Sequence, residues 1–362
     1  MVNRRFLLPL LLLTLARCTE PASDRSARDE QVGHAVSQAF TFEAEDGLLH
    51  VLAVEPAALT ARATATAFHA SLTRTAPGLD SVRLTLTNLH PDVRLTAAAG
   101  VLLDDGVVDP SRHLARTWTV NFPAGADTVE LQSAGLPAED FTFLAFGDIQ
   151  NGIDRFGDVV EAVNREEGVD FILMLGDLSQ RAEPEQFDRV DEAFARIRWP
   201  LFLTPGNHDV FAKRHYQDRY GRASYSMLHR GARFTSVDSG SGGLDARTWE
   251  WLETWMRGGA GQLHVAFSHI PAIEPLGIRA GQWNSPREAR KFVGLGLEYG
   301  LDQLLFGHIH SHDAYSLGGI PTQISGGCGA IEERLDGIDR HYLRLRALPS
   351  RGTLRVEVVR IE

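Results

Sequence analysis

The sequence predicts a β-sandwich followed by an α/β domain, on two textures and one repeated ending. From about Ala39 to Ser133 apolar and polar residues alternate with period two, the mark of half-buried strands. Beyond the break GLPAED, apolar runs of strand length alternate with helical patterns, as in a sheet buried beneath helical crossovers. Several of those runs end alike, in a glycine followed by a carboxylate, amide or imidazole.

The chain of 362 residues is long enough for one large or two ordinary domains. Its 43% hydrophobic and 23% charged residues place it among globular proteins. A formal net charge of -11 argues against nucleic acid as a partner, which wants a basic face. Small phosphate esters stay open, because bound cations can dominate a local field.

The opening MVNRRFLLPLLLLTLARCTEP has a basic start, an apolar stretch from Phe6 to Ala16 and a polar continuation. That stretch is too short for an ordinary spanning helix and has the layout of an export signal over residues 1–18. LARC, ending at Cys18, resembles a bacterial lipoprotein processing site, with Arg17 where a small residue is usual. Cleavage after Ala16 is the alternative. Either way the chain is expected to be exported, to the periplasm or outer cell surface, with membrane attachment through a lipidated Cys18 in the first case. Cys18 and Cys328 are the two cysteines, so no disulfide framework supports the fold. Cys328, in SGGCG, reads as a small packing residue.

Residues 19–36 are polar and aperiodic and read as a tether. Residues 37–138 form the expected antiparallel sandwich. SVRLTLTNL alternates Val82, Leu84 and Leu86 with polar residues, and RTWTVNF does the same with Trp118, Val120 and Phe122. Short strands parted by Gly, Pro and Asp turns suggest about seven of them. Residues 139–362 carry the α/β pattern. FTFLAFGD, VDFILMLGD, WPLFLTPGN, LHVAFSHIP and LDQLLFGHIH are the strand-like runs, with helical patterns between them such as RFGDVVEAVNREEG and ARTWEWLETWM. HYLRLRAL and TLRVEVVRIE alternate again and are expected as edge strands.

The ends of the apolar runs hold the chemistry. In chain order they offer Asp148 and Gln150, Asp177, Asn207 with His208, His269, then His308 and His310. Open α/β sheets bind ligands beyond the carboxyl ends of their strands, so five such ends would deliver these groups to one edge. Glycine precedes Asp148, Asp177, Asn207 and His308, which permits a tight turn and close backbone approach. A lone Gly-Asp after a strand is a common turn, and GHIH by itself could be a solvated loop. Five coincident endings make a metal site the better reading.

The series GDIQ, GDLSQ, GNHD, SHIP and GHIH resembles the five motifs of the calcineurin-like metallophosphoesterases, from roughly Phe141 onward. A sandwich ahead of that domain is also the arrangement of purple acid phosphatases. The resemblance implies a four-layer α/β/β/α metallophosphoesterase domain and two divalent metal ions, drawn from manganese, iron and zinc. By motif, Asp148, Gln150, Asp177 and His310 would hold the first ion. Asp177, Asn207, His269 and His308 would hold the second, with Asp177 bridging. The implied reaction is hydrolysis of a small phosphate ester by a metal-activated hydroxide, with His208 protonating the leaving group or stabilising the transition state.

Three positions depart from family patterns. Gln150 stands where many members have histidine; its harder amide oxygen leans the first site toward manganese or magnesium and away from zinc. Gln180 replaces the tyrosine of purple acid phosphatases, so their ferric–tyrosinate colour is expected to be absent. Protein serine/threonine phosphatases have aspartate there followed by a phosphate-binding arginine; Arg181 keeps that arginine and is a candidate phosphate clamp, an exposed arginine leading a helix being the competing reading. The rival functional reading is a catalytically idle, metal-stabilised surface protein whose β-sandwich does the binding.

Overall fold

The computed structural model describes residues 19–98, 101, 103–133, 135–211, 215–277, 281–333 and 336–361. The export signal expected over residues 1–18, with Cys18, lies outside them.

The sandwich consists of two five-stranded sheets. One runs β1 (His34–Val36), β2 (Phe40–Ala44), β5 (His69–Arg74), β10 (Thr128–Ser133), β7 (Leu95–Ala97). The other runs β3 (Leu49–Glu55), β4 (Ala58–Ala63), β6 (Ser81–Thr87), β9 (Arg112–Asn121), β8 (Val107–Asp109). Alternation does what period two requires: along β6 Val82, Leu84 and Leu86 are buried, and along β10 Val129, Leu131 and Ser133. Among the described residues ten strands replace the expected seven or so, because β1, β7 and β8 have only three residues each, too few for alternation to register. Pairing is antiparallel throughout except between β4 and β6, which run parallel.

The second domain is built of two sheets packed face to face between helices. β13 (Leu201–Leu203), β12 (Val169–Met174), β11 (Phe141–Phe146), β20 (His341–Leu348) and β21 (Thr353–Arg360) form one. β14 (Tyr225–His229), β15 (Ala232–Ser236), β16 (Leu263–Ser268), β17 (Gln303–Phe306), β19 (Ile320–Ser325) and β18 (His312–Leu317) form the other. Phe143, Phe171, Phe202, Phe234, Val265 and Leu305 fill the space between them, in one apolar cluster continuous with the sandwich core. The first sheet's outer face packs on α2 (Phe156–Arg165) and α3 (Pro184–Phe194) through Val159, Val160 and Phe187. The second packs on α5 (Ala246–Gly259) and α6 (Pro286–Glu298) through Leu252, Met256 and Phe292. The four-layer α/β/β/α order follows.

Two expectations are corrected. Of the two tail strands only β21 is an edge strand; β20 sits between β11 and β21, and its solvent-leaning arginines disguise a buried strand. Residues 19–36 are not a tether: α1 (Ala22–Asp29) docks on the second domain, and His34–Val36 pair into the sandwich. The buried face of α1 is polar, consisting of Arg25, Ser26 and Asp29, so its docking left no apolar period to read. Among the described residues no helix is long and apolar enough to cross a membrane. Cys328 is buried and free, as expected of a packing residue.

Buried imidazoles make the fold acid-sensitive. Burial, aided by the Arg233 charge, pushes His264 down to about 3. Burial likewise pushes His90 down to about 4, against the pull of Asp170. In the unfolded chain both titrate near 6.5, so the unfolded state binds protons first. Their stabilisation is fully present above about pH 6.5 and is lost as pH falls through about 4 and then about 3. Asp29, whose carboxyl burial raises to about 6, acts in the opposite sense. The difference between wild type and His264→Gln therefore isolates the imidazole: urea unfolding should show a shallower loss toward low pH in the variant. Parallel stability curves would refute this.

Candidate metal centre

The parallel strands β11, β12 and β13 of one sheet, and β16 and β17 of the other, end at a common edge. Asp148 follows β11, Asp177 follows β12, Asn207 and His208 follow β13, His269 follows β16, and His308 and His310 follow β17. The glycines before them act mainly by absence of bulk. A Cβ on Gly206 would collide with the Asp177 carboxylate, and one on Gly307 with the Leu175 carbonyl and Asp148. The left-handed backbone falls on the functional residues themselves: φ is 68° at Asp148, 44° at Gln150, 54° at Asp177 and 72° at His308. Such conformations cost about 1–3 kcal/mol each in non-glycine residues and gather where the surroundings impose them for function.

The side chains converge with like facing like. His269 donates from Nδ1 to the Leu175 carbonyl at 2.7 Å, which leaves the Nε2 lone pair facing inward. Within 3.2 Å of that Nε2 lie Asp177 Oδ2, Asn207 Oδ1 and His308 Nδ1. His310 likewise donates from Nδ1 to the Ile331 carbonyl at 2.8 Å, and its Nε2 faces Asp148 Oδ1 at 3.5 Å. That Asp148 oxygen is buried without a hydrogen bond. The Gln150 amide lies 2.6 Å from Asp177 Oδ2 and 3.4 Å from His310 Nε2. As placed its nitrogen points inward; a half-turn of the amide presents the oxygen instead.

The field asks for positive charge. Burial alone would lower His269, but the Asp177 and Asp148 carboxylates outweigh it and push the imidazole up to about 9. His269 in turn holds Asp177 far below the usual carboxylate range, against the cost of its burial. A cluster whose carboxylates favour positive charge at its buried centre is suited to a cation, and its donors are those divalent ions take: carboxylate, amide oxygen and imidazole. Asp177, His269 and His308 offer atoms all within 4.8 Å of one another. The residues present fit divalent metal ions.

All seven expected ligand residues meet here, but Arg181 does not. It is exposed, its N–H donates to the Gln186 side chain at 2.8 Å, and the cavity wall takes Gln180 instead. That cavity, of about 630 Å³, is lined by Gln150, Asp177, Asn207, His208, His308 and His310, and closed on one side by Ile331, Glu332 and Glu333. Sequence reasoning gave Asp209 no role. Its buried carboxylate accepts the N–H groups of Leu178 at 3.0 Å, Ser179 at 2.8 Å and Gly206 at 3.0 Å, tying the GDLSQ turn to the GNHD turn. Burial and then the Asp177 charge raise its carboxyl to about 6. His208 donates from Nδ1 to the Gln180 carbonyl at 2.8 Å, and its backbone N–H reaches Asp177 Oδ1 at 2.9 Å.

Residues 141–312 match the family model described as calcineurin-like phosphoesterase. Among solved structures, a purple acid phosphatase from yellow lupin (Lupinus luteus) seeds is similar at 14% identity and a TM-score of 0.52, over 82% of this chain and 70% of that one. At that identity the likeness shows shared fold. PhoD is similar at 10% identity and a TM-score of 0.48, over 82% of this chain and 88% of that one. A dimetal phosphatase from Danio rerio shares 14% identity at a TM-score of 0.44, over 63% of this chain and all (100%) of that one. No curated protein sequence matches the chain. With the motif residues gathered at one edge of the α/β/β/α layers, residues 141–312 are the part of this chain that matches the calcineurin-like phosphoesterase family.

Proposed function

We propose that the protein hydrolyses small phosphate esters at a site for two divalent ions. The observation that carries this is the set of inward lone pairs around His269 Nε2, with Asp177 Oδ2, Asn207 Oδ1 and His308 Nδ1 each at 3.2 Å. Asp177, Asn207, His269 and His308 would hold one ion, and Asp148, Gln150, Asp177 and His310 the other. When bound, the ions would supply Lewis acidity toward phosphoryl oxygens and make water a nucleophile at neutral pH. The chain's own part is to fix the phosphate at this edge and to handle the leaving-group proton. That role is assigned to His208, supported by its Nδ1–H being committed to Gln180 while the ring lines the cavity. We further propose, from the basic and apolar residues ahead of Cys18, that the protein is exported, with lipid attachment at Cys18 or cleavage after Ala16 as the two routes.

The test is a panel of phosphomonoesters, phosphodiesters and nucleotide pyrophosphates assayed on metal-stripped protein restored with manganese, magnesium, iron or zinc. Turnover of at least one class with a restored ion is expected. Ion binding without turnover of any class would favour the idle surface protein.

Gln150 sets the expected metal preference. Its amide oxygen favours manganese over zinc relative to an imidazole, so the parent should be most active with manganese. Gln150→His should shift restored activity toward zinc. Identical preferences in parent and variant would remove Gln150 from the ligand set.

A further inference from the structure

The segment ahead of the sandwich is fastened to the loops that carry Asn207, His208 and His269. Thr19 forms an antiparallel bridge with Phe211, and the Glu20 N–H donates to the Val210 carbonyl at 2.9 Å. Phe211 meets the His208 ring edge-on, centroids 5.9 Å apart. In α1, Arg25 is 2% exposed and grips Asp238 through Nε at 2.6 Å and Nη2 at 3.0 Å. Arg25 also donates to the Glu20 carbonyl, so it holds the residue that binds Val210.

Asp238 leads to the other loop. Its neighbour Ser239 accepts the Ile270 N–H through Oγ at 2.7 Å, and Ile270 follows His269. A second fastening lies behind: the buried Asp29 carboxylate accepts the N–H groups of Ala223 and Ser224, both at 2.9 Å, and the Gln217 amide. Ser224 Oγ in turn accepts the Asp238 N–H at 3.0 Å. A buried bidentate pair is weak glue once its desolvation is counted, but it admits one geometry only. Its value lies in where it puts its neighbours.

We propose that residues 19–29 are a positioning strap for one half of the metal centre, with Arg25 as its anchor. The strap presets Asn207, His208 and His269 before an ion arrives, which lowers the ordering cost of binding. Its hydrogen bonds and bridge to the domain fall on Val210 and Phe211, on Gln217 to Ser224, and on Asp238 to Arg247. The loops of Asp148, Gln150 and His310 lie outside that set. The division into two ion sites rests on the ligand assignment proposed above; the fastening itself does not.

The experiment compares wild type, Arg25→Gln and the conservative Arg25→Lys. Hydrogen exchange is read on metal-free protein, and manganese is titrated into it by calorimetry. In Arg25→Gln, exchange of the 206–211 segment should speed up about tenfold while the sandwich strands stay protected. Affinity for one manganese should fall about tenfold with the other held, and Arg25→Lys should recover part of both. Unchanged exchange and affinities would overturn the strap. So would a uniform rise in exchange with both affinities lowered, since that is loss of general stability. If wild type bound no manganese, the metal centre would fail while exchange still judged the strap. Should Arg25→Gln not fold, Glu20→Pro removes the N–H that binds Val210 and carries the same comparison.

Discussion

Asp177→Asn is expected to leave a folded protein whose turnover on any phosphate ester drops by roughly three orders of magnitude or more, the scale of the several kcal/mol a metal site contributes. Asp177 is 1% exposed, and each oxygen is in use. Oδ1 accepts the His208 N–H at 2.9 Å, and Oδ2 faces His269 at 3.2 Å and Gln150 at 2.6 Å. Asparagine keeps the shape and can keep the Oδ1 contact, so the turn should persist. It replaces the second oxygen with an amide nitrogen that cannot bridge two cations, and it removes the charge that balances them. The apolar run of β12, not Asp177, packs the sheets together: Phe171 and Leu173 lie between them. Turnover, bound metal and thermal unfolding should be measured on the same preparation. Wild-type turnover in a folded variant would end the two-ion assignment.

His208→Ala should lower turnover by about 10²–10⁴-fold, the usual reach of general acid–base assistance, while metal content is retained. The proposed ligand in that turn is Asn207, whose Oδ1 lies against His269, whereas His208 turns its Nδ1–H to the Gln180 carbonyl and lines the cavity. The loss should shrink for a nitrophenyl ester, whose leaving group needs no proton. Equal losses across leaving groups would take the proton-donor role away from His208.

The site was legible because its parts are punctuated. An apolar run marks each strand, glycine marks its close-packed end, and the residue after it faces the edge. Asp148, Asp177, Asn207 and His308 all sit on that rule. Asp209 was in plain view in GNHD but carried no role, since nothing in the sequence says that its carboxylate takes N–H groups from a turn 30 residues away. Glu332 and Glu333 were invisible as cavity walls for a similar reason: they reach the site only through the path of a loop. The strap was missed on chemistry. A helix whose buried residues are Arg25, Ser26 and Asp29 has the polarity of a linker, and only its partners Asp238, Gln217 and Ser224 reveal the docking. For Arg181 the sequence left a phosphate clamp and an exposed arginine leading a helix both open; the residue is exposed, and Gln180 lines the cavity.

Electron paramagnetic resonance of the metal-stripped protein titrated with manganese tests the central claim most directly. A carboxylate shared between two ions couples their spins, so two equivalents should give the signature of an exchange-coupled pair in wild type, lost in Asp177→Asn. Two equivalents that give only the signal of isolated, uncoupled manganese, unchanged by Asp177→Asn, would contradict the account.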